Sequence, residues 1–293
     1  MPKFAAPAKQ AARIMQQLQG RTLRSVGTVR NYEQALTRVA EYSRDQRLNG
    51  LRSLTPEQAV HYLEQRGQTV GQKTLDMERQ AIQAMMHHLT SQLGPTERLP
   101  VIKATTPQKL VGRAYTPLQT QMIAQAQRPP QALATQIAYQ AGLRAHELLT
   151  LRPLAERPPD DRPALSSKWE GREGLPYTVA GKGGLIREVR IPPELAQQLE
   201  QRRLDTPRTI TDRGIHYQQH YALAGGQRWS NAFSAAAKRV LGWSEGAHGL
   251  RHSYAQERLQ ELQRQGLRWE YALETVSQEM GHFRPQITEV YLR

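Results

Sequence analysis

Residues 141–148, with the sequence Ala-Gly-Leu-Arg-Ala-His-Glu-Leu, join two segments that both have helical periodicity. The first helix is predicted from Gln131 to Ala141, and Gly142 ends it because glycine tolerates the left-handed backbone that closes many helices. Arg144 is therefore expected at a junction between two helices. Glu147 follows three residues later on the same helical turn, where a carboxylate is well placed to orient a neighbouring residue.

Four more short motifs with polar residues follow along the chain. They are Gly181-Lys-Gly-Gly184, His248-Gly-Leu-Arg251, Met280-Gly-His282 and Ile287-Thr-Glu-Val-Tyr-Leu-Arg293. Taken singly, each has an ordinary structural explanation, since a lysine in a glycine-rich turn is usually just solvated and a histidine beside a glycine can cap a helix. The five motifs together, in this order, are much harder to explain by chance.

In this combination the motifs resemble those of the tyrosine recombinase family, the phage-type integrases. The resemblance is detailed in the C-terminal half of the chain and covers the N-terminal half only in general organisation. It implies a two-domain DNA clamp, in which a helical core-binding domain precedes a tyrosine recombinase catalytic domain. It also implies six catalytic residues and one supporting residue, namely Arg144, Lys182, His248, Arg251, His282 and Tyr291, with Glu147 in support.

Cleavage of a DNA phosphodiester needs an oxygen nucleophile, positive charge for the non-bridging oxygens and a proton for the departing sugar oxygen. The resemblance implies that Tyr291 is the nucleophile and forms a phosphotyrosyl bond to the 3′ end, which stores the bond energy so that rejoining needs no ATP. Arg144 and Arg251 would bind the non-bridging oxygens, because a guanidinium presents forked donors and stays charged. The fixed positive charges of these two arginines can take the place of a metal ion at the phosphate.

The other residues supply protons and hydrogen bonds. The resemblance implies that Lys182, on a flexible glycine-flanked turn, reaches the minor groove and protonates the leaving 5′-hydroxyl. His248 and His282 would donate hydrogen bonds to the phosphate or exchange a proton with Tyr291. Glu147 is better placed to orient one of these side chains than to contact DNA.

The first hundred residues are predicted to be helical. Thr55-Pro-Glu-Gln58 has the pattern of a capping box with proline at the first helical position. Two apolar stripes with helical spacing indicate further helices and their buried faces. The stripes consist of Tyr32, Leu36, Val39 and Tyr42, and of Leu75, Ile82, Met85 and Leu89.

The periodicity stops after Glu97, and prolines keep the following basic segment extended. We therefore expect a helical core-binding domain of the SAM-like type in residues 1–100, a linker in residues 101–114 and the catalytic domain in residues 115–293. A second capping box, Thr116-Pro-Leu-Gln119, opens the catalytic domain.

The catalytic domain is predicted to be mainly α with a small β-hairpin, an α+β fold. Residues 177–191 alternate around a glycine-rich centre, which predicts a hairpin with Lys182 in its turn. Apolar stripes then indicate helices, and Tyr291 is expected on a short last helix after Pro285. The stripes are Leu195 and Leu199, then Phe233, Ala237 and Val240, then Leu250, Tyr254 and Leu259.

A formal charge of +14 and a pI of about 10.3 favour a polyanionic partner, because Lys and Arg side chains release counterions from phosphates. Residues 1–114 contain 17 Lys and Arg against 8 Asp and Glu, so we expect the N-terminal part to grip the DNA backbone. The expected partner is double-stranded DNA that carries a specific recombination site. The sequence has no apolar run long enough for a membrane span and no signal peptide, so a cytoplasmic protein associated with the bacterial nucleoid is expected.

No metal or other cofactor is expected. The chain contains no cysteine. His248 and His252 are four residues apart, as zinc ligands are in some metalloproteases, but Gly249 stands where the catalytic glutamate would be needed. Residues 180–184 lack the first glycine and the Ser or Thr of a nucleotide-binding phosphate loop.

The sequence thus predicts a site-specific recombinase that integrates or excises a mobile element such as a prophage, and that acts as a homotetramer on DNA. Accessory DNA-bending or directionality factors are further partners that such a reaction allows. Three alternatives stay open: a type IB topoisomerase, a telomere-resolving enzyme and a DNA-binding regulator that does not cleave. Only Leu292 and Arg293 follow Tyr291, whereas many family members continue into a helix that docks on a neighbouring protomer. The mode of assembly, the target site and the direction of recombination stay open as well.

Overall fold

The computed structural model describes residues 5–20, 22–23, 25–107, 111–282 and 284–293. Helices make up most of its regular structure and antiparallel strands occur in the second half, so the predicted α+β class is confirmed. The chain divides into two units, residues 1–109 and residues 110–293, and this division falls inside residues 101–114. Parts of the predicted domains and linker lie outside the described residues, namely residues 1–4, Arg21, Arg24, residues 108–110 and Phe283.

The first unit is helical, as its apolar stripes predict. Leu36, Val39, Leu75 and Ile82 are buried in one hydrophobic core. The helices are α1 (Pro7–Leu18), α2 (Val26–Asp45), α3 (Pro56–Gly67) and α4 (Gln72–Met85), and a π-helical turn, Met86–Thr90, continues α4.

The capping box at the start of α3 is present in full. The Thr55 side chain accepts a hydrogen bond from the Gln58 backbone N–H, and the Gln58 side chain accepts one from the Thr55 backbone N–H. The two bonds satisfy donors that every helix leaves free at its N-terminus, so the sequence motif fixes where α3 begins.

The second unit combines helices with two separate antiparallel sheets. Strands β1 (Arg152–Pro153), β2 (Leu175–Ala180) and β3 (Ile186–Ile191) form one sheet in that order. Strands β4 (Arg203–Asp212) and β5 (Ile215–Tyr221) form the other. The helices are α5 (Pro117–Gln125), α6 (Pro129–Gln140), α7 (Pro193–Glu200), α8 (Gly226–Leu241), α9 (Gly249–Arg264), α10 (Trp269–Glu279) and α11 (Pro285–Glu289).

The predicted hairpin is confirmed, with Lys182 at the start of the turn Lys182–Gly184 between β2 and β3. Sequence reasoning missed the β4–β5 hairpin. Its strands are polar on both faces and Pro207 interrupts β4, so no alternation of apolar and polar residues marks it. Its strand β5 packs against the short 3₁₀ helix Glu147–Leu149.

The C-terminal segment packs on α9. Tyr291 and Leu292 contact a small core that includes Tyr254, Ala255 and Val276. Tyr291 was expected on the helix that begins at Pro285, but α11 ends at Glu289 and Tyr291 lies on the 3₁₀ turn Val290–Leu292 that follows. None of the helices in the described residues has the length and apolar character that crossing a membrane requires.

We predict that Thr116→Ala lowers the free energy of unfolding of the second unit by about 1 kcal/mol, because it removes the side-chain acceptor from the capping box at α5. All four tryptophans lie in this unit, so urea unfolding followed by tryptophan fluorescence measures it selectively. Thr116→Ser keeps the acceptor oxygen and should retain most of the stability. Equal losses in both variants would show that the cap does not stabilise α5.

Candidate active site

Gly142 directs the chain from α6 towards the site. Its φ is +58°, and a Cβ at this position would lie 2.8 Å from ring carbons of Tyr254. Only glycine fits both the left-handed backbone and the close approach. The turn places Arg144 two residues later at the predicted junction, where its side chain is partly exposed.

Glu147 fixes the position of Arg144. The Arg144 backbone N–H donates to Glu147 Oε2 over 2.8 Å, and Arg144 Nη1 donates to Oε1 over 2.7 Å. The two bonds hold both the main chain and the guanidinium group of Arg144 against one carboxylate. Glu147 is fully buried, so it does not face solvent itself, and the residue that its carboxylate orients is Arg144.

Two more arginines surround the same carboxylate. Arg187 Nη2 donates to Glu147 Oε2 over 2.8 Å, and Arg251 Nη1 lies 3.9 Å from that oxygen. Burial by itself would raise the pKa of Glu147, but the charges of the three arginines outweigh burial and hold this pKa well below its ordinary value. Glu147 is therefore an anion at neutral pH and balances part of a buried cluster of positive charge.

Arg251 is also fully buried, and its donors are engaged. It donates to the backbone carbonyl of Gly142, to that of Met280 over 3.2 Å and to His282 Nε2 over 3.1 Å. Burial, followed by the charge of Arg144, lowers the pKa of Arg251 to about 10. The group stays protonated at neutral pH and contributes a fixed positive charge beneath the site.

The hydrogen bonds of His282 define its protonation state. Arg251 can only donate, so His282 Nε2 is the acceptor of their bond and carries no proton. The proton of the neutral ring is then on Nδ1, which donates to Thr288 Oγ1 over 2.8 Å. Burial, followed by the charges of Arg251 and Arg144, lowers the pKa of His282 to about 3, in agreement with a neutral ring.

Tyr291 lies among three imidazole rings and one guanidinium group. The centroid of its ring is 5.4 Å from that of His248, 4.7 Å from that of His252 and 5.2 Å from that of His282. The guanidinium carbon of Arg251 is 5.5 Å from the Tyr291 centroid, within the range of a cation–π contact. Within the described residues the Tyr291 hydroxyl has no hydrogen-bond partner, so it is free to meet a ligand.

His248 lies at the exposed side of this group, at the N-terminus of α9. The protein atoms around it and the charge of Arg251 lower the pKa of His248 to about 4. At neutral pH the ring is neutral, with one nitrogen able to accept a proton.

Lys182 is the predicted site residue that the structure does not bring into contact with the others. Its side chain is exposed on the β2–β3 turn. Within the described residues it forms no hydrogen bond or ion pair with another predicted site residue. The turn nevertheless begins beside the site, because a Cβ on Gly181 would lie 3.3 Å from Glu147 Oε1. Gly183 and Gly184 have φ of +80° and +87°, so the turn depends on glycine.

Sequence reasoning missed Arg187. It is buried on β3, where it contacts Glu147 and donates to the Glu279 backbone carbonyl over 2.7 Å. A signal was present, because Arg187, Val189 and Ile191 share the buried face of β3. A charged residue in the buried phase of a strand needs a buried partner, and Glu147 is that partner.

His252 was considered only as a zinc ligand, yet of the three imidazole rings it lies nearest to Tyr291. It is buried, and its Nδ1 has no hydrogen-bond partner in the described part of the chain. Burial and the charge of Arg113 lower the pKa of His252 to about 4. The described residues contain no group of three His, Asp or Glu side chains placed to hold a metal ion.

The fold of this chain is the fold of site-specific recombinases and integrases. The sequence matches no protein-family model and no curated protein, but 40 solved chains match it, among them the following three, which match over nearly the whole length of this chain. The XerH site-specific recombinase bound to a palindromic difH substrate has a TM-score of 0.57 and 13% identity, and the match covers 100% of this chain and 94% of that chain.

The other two structures are integrases. The Tn1549 transposon integrase in complex with transposon right end DNA has a TM-score of 0.54 and 14% identity, and the match covers 99% of this chain and 95% of that chain. A lambda integrase dimer bound to a COC′ core site has a TM-score of 0.60 and 14% identity, with 97% of this chain and 94% of that chain covered. At such identities the similarity establishes the fold.

We predict that the protein loses stability as the pH falls below about 6.5, and that His282 accounts for part of the loss. The pKa of His282 is about 3 in the folded protein and near 6.5 when the chain unfolds. The unfolded state therefore binds more protons between these values, so this contribution is complete above pH 6.5 and is lost as the pH falls towards 3.

Urea unfolding at pH 7 and at pH 4.5 measures the effect. The free energy of unfolding should fall less between pH 7 and pH 4.5 in His282→Gln than in the wild type. In His61→Gln, at an exposed position on α3, it should fall as much as in the wild type. An equal drop in all three proteins would contradict the neutral, buried state assigned to His282.

Proposed function

We propose that this chain is a site-specific DNA recombinase of the tyrosine recombinase family, an integrase that cleaves and rejoins DNA strands through a 3′-phosphotyrosyl intermediate. The observation that carries the proposal is the position of Tyr291, whose hydroxyl has no partner among the described residues and whose ring lies within about 5.5 Å of the Arg251 guanidinium and the neighbouring imidazoles. An accessible phenol beside fixed positive charge suits nucleophilic attack on a phosphodiester.

Double-stranded DNA is the proposed substrate. The chain carries a formal charge of +14, and the XerH, Tn1549 and lambda proteins that share its fold are bound to DNA in their solved structures. We assign residues 1–100 as the SAM-like core-binding domain, residues 101–114 as the linker and residues 115–293 as the catalytic domain. A homotetramer on DNA, assisted by DNA-bending or directionality factors, would exchange strands at the nucleoid and so integrate or excise a mobile element.

In the proposed reaction Tyr291 Oη attacks the phosphorus, and the bond from phosphorus to the 5′ oxygen breaks. Arg144 is the residue best placed to bind a non-bridging oxygen directly, because its side chain is 21% exposed and Glu147 holds its guanidinium in place. Arg251 is fully buried, so it acts first through its charge. Direct contact of Arg251 with the phosphate requires that it give up its hydrogen bond to His282 or to the Met280 carbonyl.

The proton of Tyr291 needs an acceptor as the phosphotyrosyl bond forms. His248 is neutral at pH 7, is exposed and lies 5.4 Å from Tyr291 between ring centroids, so it is our candidate. The negative charge of a bound phosphodiester would raise the pKa of His248 and make the ring a better base at that moment. His282, with its Nε2 already bonded to Arg251, is better suited to position Arg251.

Lys182 is the proposed donor of the proton to the leaving 5′ oxygen. Its turn begins beside Glu147 and contains two glycines with positive φ, so the lysine can approach DNA that occupies the site. The phosphotyrosyl bond conserves the energy of the phosphodiester, and attack by a 5′-hydroxyl with the same groups in reverse roles rejoins the strand without ATP or metal. The known proteins of this fold favour recombination over a topoisomerase-like, telomere-resolving or non-cleaving role.

We predict that Tyr291→Phe abolishes covalent attachment to DNA and leaves DNA binding intact, because only the nucleophilic oxygen is removed. The measurement uses sheared genomic DNA from the source organism, denatures the protein after incubation and sequences the DNA ends that stay attached. Tyr271→Phe is the matched control, since Tyr271 is exposed on α10 and its variant should form adducts like the wild type. Adducts with Tyr291→Phe at the wild-type yield would refute the assigned nucleophile.

We predict that Lys182→Ala slows cleavage of the recovered site about 100-fold or more, the usual contribution of a general acid. A substrate with sulfur in place of the bridging 5′ oxygen should restore the rate, because a thiolate leaves without a proton. Arg264→Ala, at an exposed position at the end of α9, also removes one positive charge. It should change the cleavage rate of neither the normal substrate nor the sulfur substrate. If the sulfur substrate fails to rescue Lys182→Ala, the lysine binds DNA and does not donate the proton.

A further inference from the structure

The β4–β5 hairpin is a two-stranded ribbon with one packed face and one exposed face. The cross-strand pairs alternate between the two faces, as the pleat requires. Arg208 pairs with Gln219, Thr209 with Gln218, Ile210 with Tyr217, Thr211 with His216, and Asp212 with Ile215.

The packed face anchors the ribbon to the second unit. Gln219 is buried and its Nε2 donates to the Leu223 backbone carbonyl over 2.7 Å. Tyr217 packs beside His146, with 6.1 Å between ring centroids. The ribbon is therefore held in a fixed orientation by side chains next to the Arg144–Glu147 pair.

The outer face carries four exposed side chains, Thr209, Thr211, His216 and Gln218. They are bonded across the strands, with 2.8 Å between Thr211 Oγ1 and His216 Nδ1 and 2.9 Å between Gln218 Nε2 and Thr209 Oγ1. None is an acid, a lysine or an arginine. This is unusual, because exposed strands at the edge of a sheet commonly carry charged side chains that prevent pairing with other strands.

The tip of the ribbon is tied to the site. Asp212 Oδ1 accepts the Gln227 backbone N–H over 2.8 Å at the start of α8, and its Oδ2 accepts from Arg213 Nε over 3.2 Å. The neighbouring Gly226 N–H donates over 2.7 Å to the carbonyl of Ala145, the residue after Arg144. Arg213 is 39% exposed and is thus oriented by a carboxylate beside the candidate active site.

We infer that the outer face of the β4–β5 ribbon reads DNA sequence in the major groove beside the phosphate that Arg144 binds. The inference rests on the proposed function, since it assumes that the phosphate at Arg144 belongs to DNA. A two-stranded ribbon fits the major groove, a glutamine can bond adenine with two hydrogen bonds, and threonine can contact either a base edge or a thymine methyl group.

The charged residues of the ribbon are also placed as expected if its outer face lies in the major groove. The outer face has no carboxylate to repel DNA, and Arg213 at the tip can contact a phosphate at the edge of a groove. Asp205 is exposed on the same strand but lies at the far end of the ribbon, beyond the register shift between Arg203 and Arg208. Phosphate contacts would then position the ribbon, and the uncharged side chains would distinguish the bases.

The test selects preferred sequences from a pool of randomised duplex DNA by binding to the full-length protein, followed by sequencing. The ribbon variant is His216→Ala with Gln218→Ala. The matched control is Gln197→Ala with Gln198→Ala, two exposed positions on α7. The ribbon variant should lose a preference of about 10-fold at each contacted base pair within one block of adjacent positions, while the control keeps the wild-type preference.

A second ribbon variant, a check of folding and an assay for the covalent adduct complete the test. Thr209→Val with Thr211→Val keeps the branched strand residues, so it should fold and still weaken the same block, and thermal unfolding verifies the fold of every variant. Identical selected sequences for wild type and both ribbon variants would overturn the inference. Formation of a covalent adduct by the same proteins tests the proposed function separately, because an adduct with an unchanged preference refutes only the role of the ribbon.

Discussion

The candidate site depends on one buried carboxylate, Glu147, and on the arginines that surround it. Arg144 and Arg187 are bonded to it directly, and Arg251 lies 3.9 Å away. Three guanidinium groups so close together would repel one another strongly in a buried environment without an anion between them. Removal of one partner of a buried ion pair typically costs about 3–5 kcal/mol, so Glu147 is expected to stabilise the second unit by holding these positive charges together.

The elements of the second unit meet at this cluster. Gly142 turns the chain from α6 into Arg144, and its carbonyl accepts hydrogen bonds from Arg187 on β3 and from Arg251 on α9. Arg251 then bonds His282, whose Nδ1 bonds Thr288 on α11, the helix that leads into the turn with Tyr291. A continuous set of contacts thus runs from the buried carboxylate to the proposed nucleophile, and a substitution within it is expected to displace Tyr291 as well as to destabilise the fold.

The sequence predicted the parts of this arrangement that have local patterns. Capping boxes, apolar stripes and the alternation in residues 177–191 predicted α3, α5 and the β2–β3 hairpin, because each depends on residues close in sequence. The β4–β5 ribbon was not predictable, since polar residues on both faces hide its period and its stability comes from packing against a distant segment. The role of Arg187 was missed for a similar reason, as its partner Glu147 lies 40 residues away.

The central claim is that Tyr291 becomes covalently bonded to DNA, and mass spectrometry of the trapped wild-type complex tests it most directly. The adduct is digested with nuclease and protease, and the peptide that carries the residual nucleotide is identified. The account predicts the added mass on the C-terminal peptide, at Tyr291. A nucleotide on any other residue, or a complex that dissociates completely on denaturation when its DNA has been cut, would contradict the account.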